Sequence, residues 1–430
     1  VTEGRLLSII ELGEVRDEAS STPTVRRPRA AGRPLRSVAV LVLALVLLAA
    51  ATPVPQQVVS VVPAVRTSTA YLGGDSVFVV DPPAPEGERY LTAYAQPSRT
   101  GAGVHRRWQA PLARLGDYLD VRVEQGLVLA MAVNDDGVFE TTAYDSATGQ
   151  RRWQHPGGPQ PIAQGGLLLT ENRGDREGAM GRVDPGTGRV LWSMSIPAPS
   201  NPAYHRRDGQ IDQFVLLQPT GEVQVYDAGT GRLLRGIDTL PGDRAAYQRV
   251  WVVDDLLLLV PPGSTRLIAY RLAYLQPLWT AEVPLISFVF ACADLLCAVP
   301  QTGGLQVLDP ATGVVRWSDS GPNNLADVRH GQLLMARPGR GYEVWDAATG
   351  RVRTELGPWA LMQVLGPDAP LVGTRSGDDG RMVVAELDLV AHRARIVDVL
   401  PAIAGSCQAS LPMLLCQRLD GTTALWRLTR

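Results

Sequence analysis

A nine-residue phrase, Asp-x-x-Thr-Gly followed four residues later by Trp, recurs along this 430-residue chain and constrains its fold more than any other feature. It is complete over 145–153 (DSATGQRRW; Asp145, Gly149, Trp153), 184–192 (DPGTGRVLW; Asp184, Gly188, Trp192) and 309–317 (DPATGVVRW; Asp309, Gly313, Trp317). Two copies keep the turn and lose the Trp. These are 227–235 (DAGTGRLLR; Asp227, Gly231, Arg235) and 346–354 (DAATGRVRT; Asp346, Gly350, Thr354). A motif repeated at this spacing marks one supersecondary unit per period, with neighbouring units sharing a core that none could build alone.

Each unit reads as short strands broken by Gly, Pro and Asp. A second strand is visible at SVFVV (76–80), LVLAM (127–131), LLLT (167–170), FVLLQ (214–218), LLLLV (256–260), LLCAV (295–299), LLMAR (333–337), PLVGT (370–374) and MLLCQ (413–417). Such β-branched and Leu-rich runs, bounded by turn residues, are hairpin-connected strands, and no sustained helical period follows residue 52. A third strand then ends on the Asp of the phrase. Its carboxylate can accept N–H groups two residues on, and the Gly supplies the positive φ that the loop needs. The chain returns on a fourth strand whose Trp lies against the neighbouring sheet.

Degenerate units fill the gaps: 94–108 with an insertion, 271–279 (RLAYLQPLW) keeping only the Trp, and 388–396 (DLVAHRARI) keeping only the Asp. Fourth-strand anchors therefore fall at 108, 153, 192, 235, 279, 317, 354 and 396. One four-stranded blade per period of roughly 41 residues, set radially, predicts an all-β propeller of four-stranded antiparallel blades. The phrase in this setting resembles the repeat of the pyrroloquinoline-quinone-type (PQQ-like) propellers, over about 67–430. That superfamily includes quinoprotein dehydrogenases and the lipoprotein scaffold of outer-membrane barrel assembly, and the resemblance implies eight blades. Eight anchors agree with it. Nine second strands and nine third strands, the last at 423–428, leave nine blades as the alternative, with 58–62 (VVSVV) closing the ring as a borrowed strand that hides an open edge.

Ahead of the repeats, 1–36 reads as a polar tail interrupted by Pro23, Pro28 and Pro34. The apolar run at 38–51 contains no charge, and extending it to 37–54 gives a segment expected to anchor the chain in a membrane; a cleavable signal peptide ending in Ala49-Ala50-Ala51 is the rival reading. Arg26, Arg27, Arg29, Arg33 and Arg36 precede the run, so the tail is expected in the cytoplasm and the propeller outside. Residues 55–66 read as a Pro-rich stalk or the closing strand. Membrane lipid is thus one expected partner, through the N-terminal helix. A formal net charge of −2 argues against nucleic acid.

Four cysteines remain. Cys292 and Cys297 lie on adjacent strands across a short turn, as do Cys407 and Cys416, so two hairpin disulfides in an oxidising exterior are expected. The rival, a four-cysteine metal site, lacks the C-x-x-C spacing. The resemblance would bring a quinone site only with a vicinal Cys-Cys pair and with Asn and carboxylate calcium ligands. No cysteines are adjacent, and Asn323-Asn324 is the one Asn pair. No cofactor, metal or catalytic residue is therefore expected. His105, His155, His205, His330 and His392 are scattered without ligand spacing, Asp135-Asp136-Gly137 and Asp378-Asp379-Gly380 suit tight turns, and Arg106-Arg107, Arg151-Arg152 and Arg206-Arg207 suit charged edges. The expectation is a membrane-anchored extracytoplasmic module that binds or scaffolds a protein or envelope ligand; a quinoprotein dehydrogenase or an exterior sensor is the alternative. The irregular units near 235, 271, 354 and 388 are where its binding face is expected.

Overall fold

A computed structural model of the chain describes residues 59–428, except 85–86, 98–102, 175, 199–200, 240–248, 262, 365–368, 378–379 and 402. The expected membrane segment at 37–54 lies outside these residues, as does Asp378-Asp379. No helix among the described residues is long and apolar enough to cross a membrane.

The strands form nine antiparallel meanders. Blades 1 to 8 span 69–111, 118–156, 158–196, 203–238, 249–282, 286–319, 324–357 and 360–400. Blade 9 takes three strands from 403–427 and its fourth from Val59–Val62, which pairs antiparallel with Thr423–Arg427 in the register Val59↔Trp426 to Val62↔Thr423. The eight blades that the anchors predict are thus corrected to nine. The ninth blade borrows its outer strand from ahead of the first repeat, so it has no anchor of its own to count.

Second strands are buried on both faces; Ser76–Val80 is buried at every position. A strand covered by sheets on either side reads as a continuous apolar run, which is why these segments were legible without alternation. Nine apolar clusters join the blades, each drawing on two consecutive sheets. Tyr71 and Phe78 of blade 1 meet Tyr118 and Val121 of blade 2 in one of them. In another, Val62, Met413 and Leu425 of blade 9 meet Leu72, Val77 and Val79 of blade 1. An open row of nine sheets has eight seams; the ninth closes the ring.

Blade 8 departs from the pattern. Its first strand breaks after Ala360–Leu361, and Gln363–Val364 crosses to pair in parallel with Gln408 and Ala409 of blade 9. Blade 9 is consequently five-stranded.

Both cysteine pairs are disulfides, each joining the first and second strands of one blade. Cys407 and Cys416 are direct cross-strand partners, whereas Cys297 pairs in register with Phe290. The closed loops are short, so each bond restricts the unfolded chain by only ~2–2.5 kcal/mol in the chain-entropy model. Their surroundings differ. Cys292 and Cys297 are both 0% exposed. Cys407 is half-buried, and its bond lines a cavity of about 370 Å³ with Thr69 of blade 1 and Ser68 just before it. Thiol–disulfide exchange requires an attacking thiolate to reach a sulfur atom. Under native conditions dithiothreitol should therefore open Cys407–Cys416 first, with Cys292–Cys297 surviving until the ring unfolds. Alkylation and peptide mass mapping over time would check the order, and simultaneous loss of both bonds would contradict it.

Candidate functional site

The repeat residues lie one set per blade at the turn between third and fourth strands, and the fold does not bring them together. Within each turn the carboxylate is the organising group. Asp145 Oδ1 accepts the Thr148 N–H and hydroxyl at 2.9 Å each, Asp184 Oδ1 those of Thr187 at 2.8 and 2.7 Å, and Asp346 Oδ1 those of Thr349 at the same two distances. Asp227 and Thr230 repeat the geometry. The Gly N–H then donates to the Asp carbonyl, as Gly188 does to Asp184 at 2.8 Å. A bulge follows on the fourth strand, and in three blades its extra residue is an Arg that reaches back to the same carboxylate: Arg152 to Asp145, Arg316 to Asp309 and Arg353 to Asp346. Arg152, with Thr148, holds the Asp145 carboxyl well below the usual carboxylate range, and Arg353 with Thr349 brings Asp346 down to about 2. These arginines are turn partners rather than a free charged rim.

The Trp works across the seam. Its indole Nε1 donates to a carbonyl in the next blade's turn: Trp108 to Ser146 at 2.9 Å, Trp153 to Pro185 at 2.7 Å, Trp192 to Gly229 at 3.1 Å, Trp279 to Pro310 and Trp317 to Ala347 at 2.8 Å. The ring lies on that turn's glycine. A Cβ added to Gly188, whose φ is +72°, would sit 2.4 Å from Trp153. The five glycines of the phrase are all placed this way against a Trp of the preceding blade. The glycine thus answers two demands at once, a left-handed backbone and room for an indole.

Loss of the Trp and decay of the phrase are consequently one event seen in two blades. Arg235 replaces Trp in blade 4, and the glycine position of blade 5 becomes Leu275, still at φ +53°. Leu275 is buried in one cluster with Val223 and Val225 of blade 4, and Arg235 Nε donates to the Leu272 carbonyl at 2.7 Å in place of an indole. Thr354 replaces Trp in blade 7, and the corresponding position of blade 8 is His392 at φ +54°.

Other residues singled out from sequence take local roles. Asp135-Asp136-Gly137 forms a tight turn in which Asn134 Oδ1 accepts the Asp136 and Val138 N–H groups. Asn323 is buried and donates to Asp319 at 2.8 Å. The histidines stay apart, and no group of three metal-ligating side chains occurs among the described residues. His205 alone is buried against a carboxylate, with Nδ1 2.5 Å from Asp212 Oδ1 and Nε2 3.7 Å from Asp255 of blade 5. The first contact lies within blade 4, and the second reaches blade 5 beside the irregular seam.

The same two blades, with blade 6, wall a concavity of about 730 Å³. Their first strands are Ala203–Arg207, Arg249–Val253 and Ile286–Cys292. Tyr204, Trp251 and Phe288 face it, Phe288 with 64% of its surface open and its neighbour Leu285 with 56%. The Tyr204 hydroxyl lies 3.0 Å from Thr170 Oγ1, which fixes the ring. Arg206 and Arg249 frame these aromatics. A volume in the 300–1,000 Å³ range with aromatic walls and a few charged groups is the usual build of a ligand site. Sequence reasoning missed it. Its signal is faint: aromatic residues alternating with core positions in RVWVV (249–253) and ISFVF (286–290).

Two outcomes follow from the turns. Gly188→Ala should destabilise the ring by about 2–4 kcal/mol, because it adds a clash to backbone strain, whereas Gly137→Ala, at similar φ in open space, should cost about 1 kcal/mol. A Cβ at Gly231 would sit 2.6–3.0 Å from ring atoms of Trp192, which Trp192→Ala removes, so the Gly231→Ala/Trp192→Ala double variant should fall short of the sum by about 1–3 kcal/mol in denaturant melts; strict additivity would count against the clamp. The second outcome concerns pH. A carboxyl depressed in the folded state from an unfolded value near 3.9 stabilises fully above that value and ceases to as pH falls through its folded value. The Tm deficit of Asp346→Asn should therefore be full at pH 6 and shrink between about pH 4 and about 2. A deficit unchanged at pH 2 would exclude the ion pair as its cause.

Two overlapping stretches, 56–218 and 176–358, match the model of the family described as outer membrane protein assembly factor BamB. No curated protein matches the chain. Among solved structures, the computationally designed Ika8 protein is 17% identical with a TM-score of 0.47, covering 71% of this chain and 95% of its own. BamB from Moraxella catarrhalis is 13% identical with a TM-score of 0.39, over 86% and 98%. The C-terminal WD40 domain of Sif2 is 9% identical with a TM-score of 0.41, over 87% and 97%. Because the two family matches run without a gap from 56 to 358, over half of the chain, and carry the turn-and-clamp repeat described above, the chain belongs to the outer membrane protein assembly factor BamB family of PQQ-like β-propellers.

Proposed function

We propose that this propeller is a non-catalytic protein-binding or scaffold module, held outside a cell membrane by the apolar segment at 37–54 with its tail in the cytoplasm. The observation that carries the reading is the open aromatic concavity on blades 4 to 6. It offers apolar surface and guanidinium groups, and among the described residues no Asp, Glu, His or Cys lines it. A rigid ring presenting such a wall is built for recognition. The family's assembly-factor description points the same way by analogy. Two disulfides suit an oxidising exterior, and the arginines before residue 37 suit a cytoplasmic tail.

The test has two arms. Full-length tagged protein, cross-linked in intact cells and purified from membranes, should bring down one exterior protein in near-stoichiometric amount. A cysteine introduced at exposed Tyr274 should react with a membrane-impermeant maleimide before lysis. Protection of that cysteine would refute the exterior placement. Dye-linked dehydrogenase turnover with quinone and calcium would replace the scaffold reading with an enzymatic one.

A further inference from the structure

Two arginines in the concavity lack what an arginine beside aromatic surface ordinarily has. Arg206 donates to the Gly209 carbonyl at 3.2 Å and to Gln160 Oε1 at 2.5 Å. Arg249 donates to the Ile286 carbonyl at 2.5 Å, and Gln301, with its amide oxygen turned inward, accepts from it at 3.2–3.3 Å. All of these partners are neutral. Among the described residues no Asp or Glu lines the concavity. Arg107, Arg152, Arg337 and Arg395 are each paired with a carboxylate. Arg122, Arg182 and Arg235, like the two here, end on neutral acceptors, but none of those three lines this concavity. The wall of blades 4 to 6 is therefore a place where positive charge is oriented by neutral acceptors and left uncompensated, beside Trp251 and the open ring of Phe288.

We infer that this wall takes an extended acidic peptide segment carrying at least one aromatic or large aliphatic side chain, supplied by the protein partner proposed above. The inference rests on that binding reading and adds the chemistry of what is bound. Each guanidinium has five N–H donors in a planar fork, and the neutral contacts leave donors free for a carboxylate in paired geometry. The apolar side chain of the ligand covers Phe288 and Trp251, and that anchor together with two charge-assisted bonds is the usual composition of an energetic hot spot. A basic segment would be repelled by Arg206 and Arg249. A purely apolar one would strip water from both without repayment.

Selection from a phage-displayed random dodecapeptide library against the immobilised full chain tests this. Enriched peptides should combine Asp or Glu with Phe, Trp, Tyr or Leu. The best of them, labelled and measured by fluorescence anisotropy, should bind at least ten-fold more weakly to Arg249→Gln or Arg206→Gln, and more weakly as salt rises. Both side chains are exposed, so neither change strips the core. Phe288→Ser should weaken binding without altering its salt slope. Enrichment of basic or uncharged peptides, no enrichment, or equal binding by the Arg206→Gln/Arg249→Gln double variant would each overturn the proposal, as would competition by phosphatidylglycerol vesicles alone. Membrane capture with the double variant separates this from the broader reading. Retention of the stoichiometric partner leaves a scaffold that binds elsewhere, and absence of a partner from wild type removes both.

Discussion

Five of the nine seams in this ring depend on one contact, an indole of one blade laid over a glycine of the next. Sheets packed face to face have no hydrogen bonds between them, so their relative position comes from side-chain shape. The Trp supplies both area and direction. Burying ~150–250 Å² gives an upper bound of about 4–6 kcal/mol per seam, and the Nε1 donor can be satisfied only at one rotation. Asp and Thr shape the turn that receives it, and the glycine leaves the space. The phrase is therefore half of a joint, and its other half belongs to the preceding repeat.

Closure obeys the same economy of edges. A propeller whose last repeat stops after three strands exposes the hydrogen-bonding edge of Thr423–Arg427, and Val59–Val62 covers it. That strand also places Val62 in the apolar cluster that joins blade 9 to blade 1, so the seam gains a core as well as a ladder. The Cys407–Cys416 bond and the parallel pairing of Gln363–Val364 gather at this last blade, which, like blade 8, carries no Trp-on-glycine clamp.

Architecture was legible residue by residue because each device is local. The Asp-to-Thr hydrogen bonds span three residues, the hairpin cysteines sit on adjacent strands, and the doubly covered second strands announce themselves as apolar runs. Blade number was less so. Counting Trp anchors gives eight, since the ninth outer strand precedes the first repeat and carries no Trp, although the nine third strands already held the answer. The decay at 271 and 388 is visible in the sequence, but its cause is not. It becomes intelligible in the fold, where Leu275 packs against blade 4, the blade whose Trp position is Arg235, 40 residues upstream.

What the sequence determined by itself is the repeat unit: an Asp-led turn, a positive-φ glycine, a Trp to be buried, and a disulfide wherever two cysteines flank a hairpin. These follow from short-range geometry that any copy of the phrase must satisfy. The tertiary structure decided how many units close the ring, which Trp meets which glycine, and that Tyr204, Trp251, Phe288, Arg206 and Arg249 share one wall. Those five come from three blades and are separated by up to 84 positions in the chain, and no local rule relates them. Only the arrangement of three consecutive first strands side by side brings them together, because each strand contributes just one or two of the five.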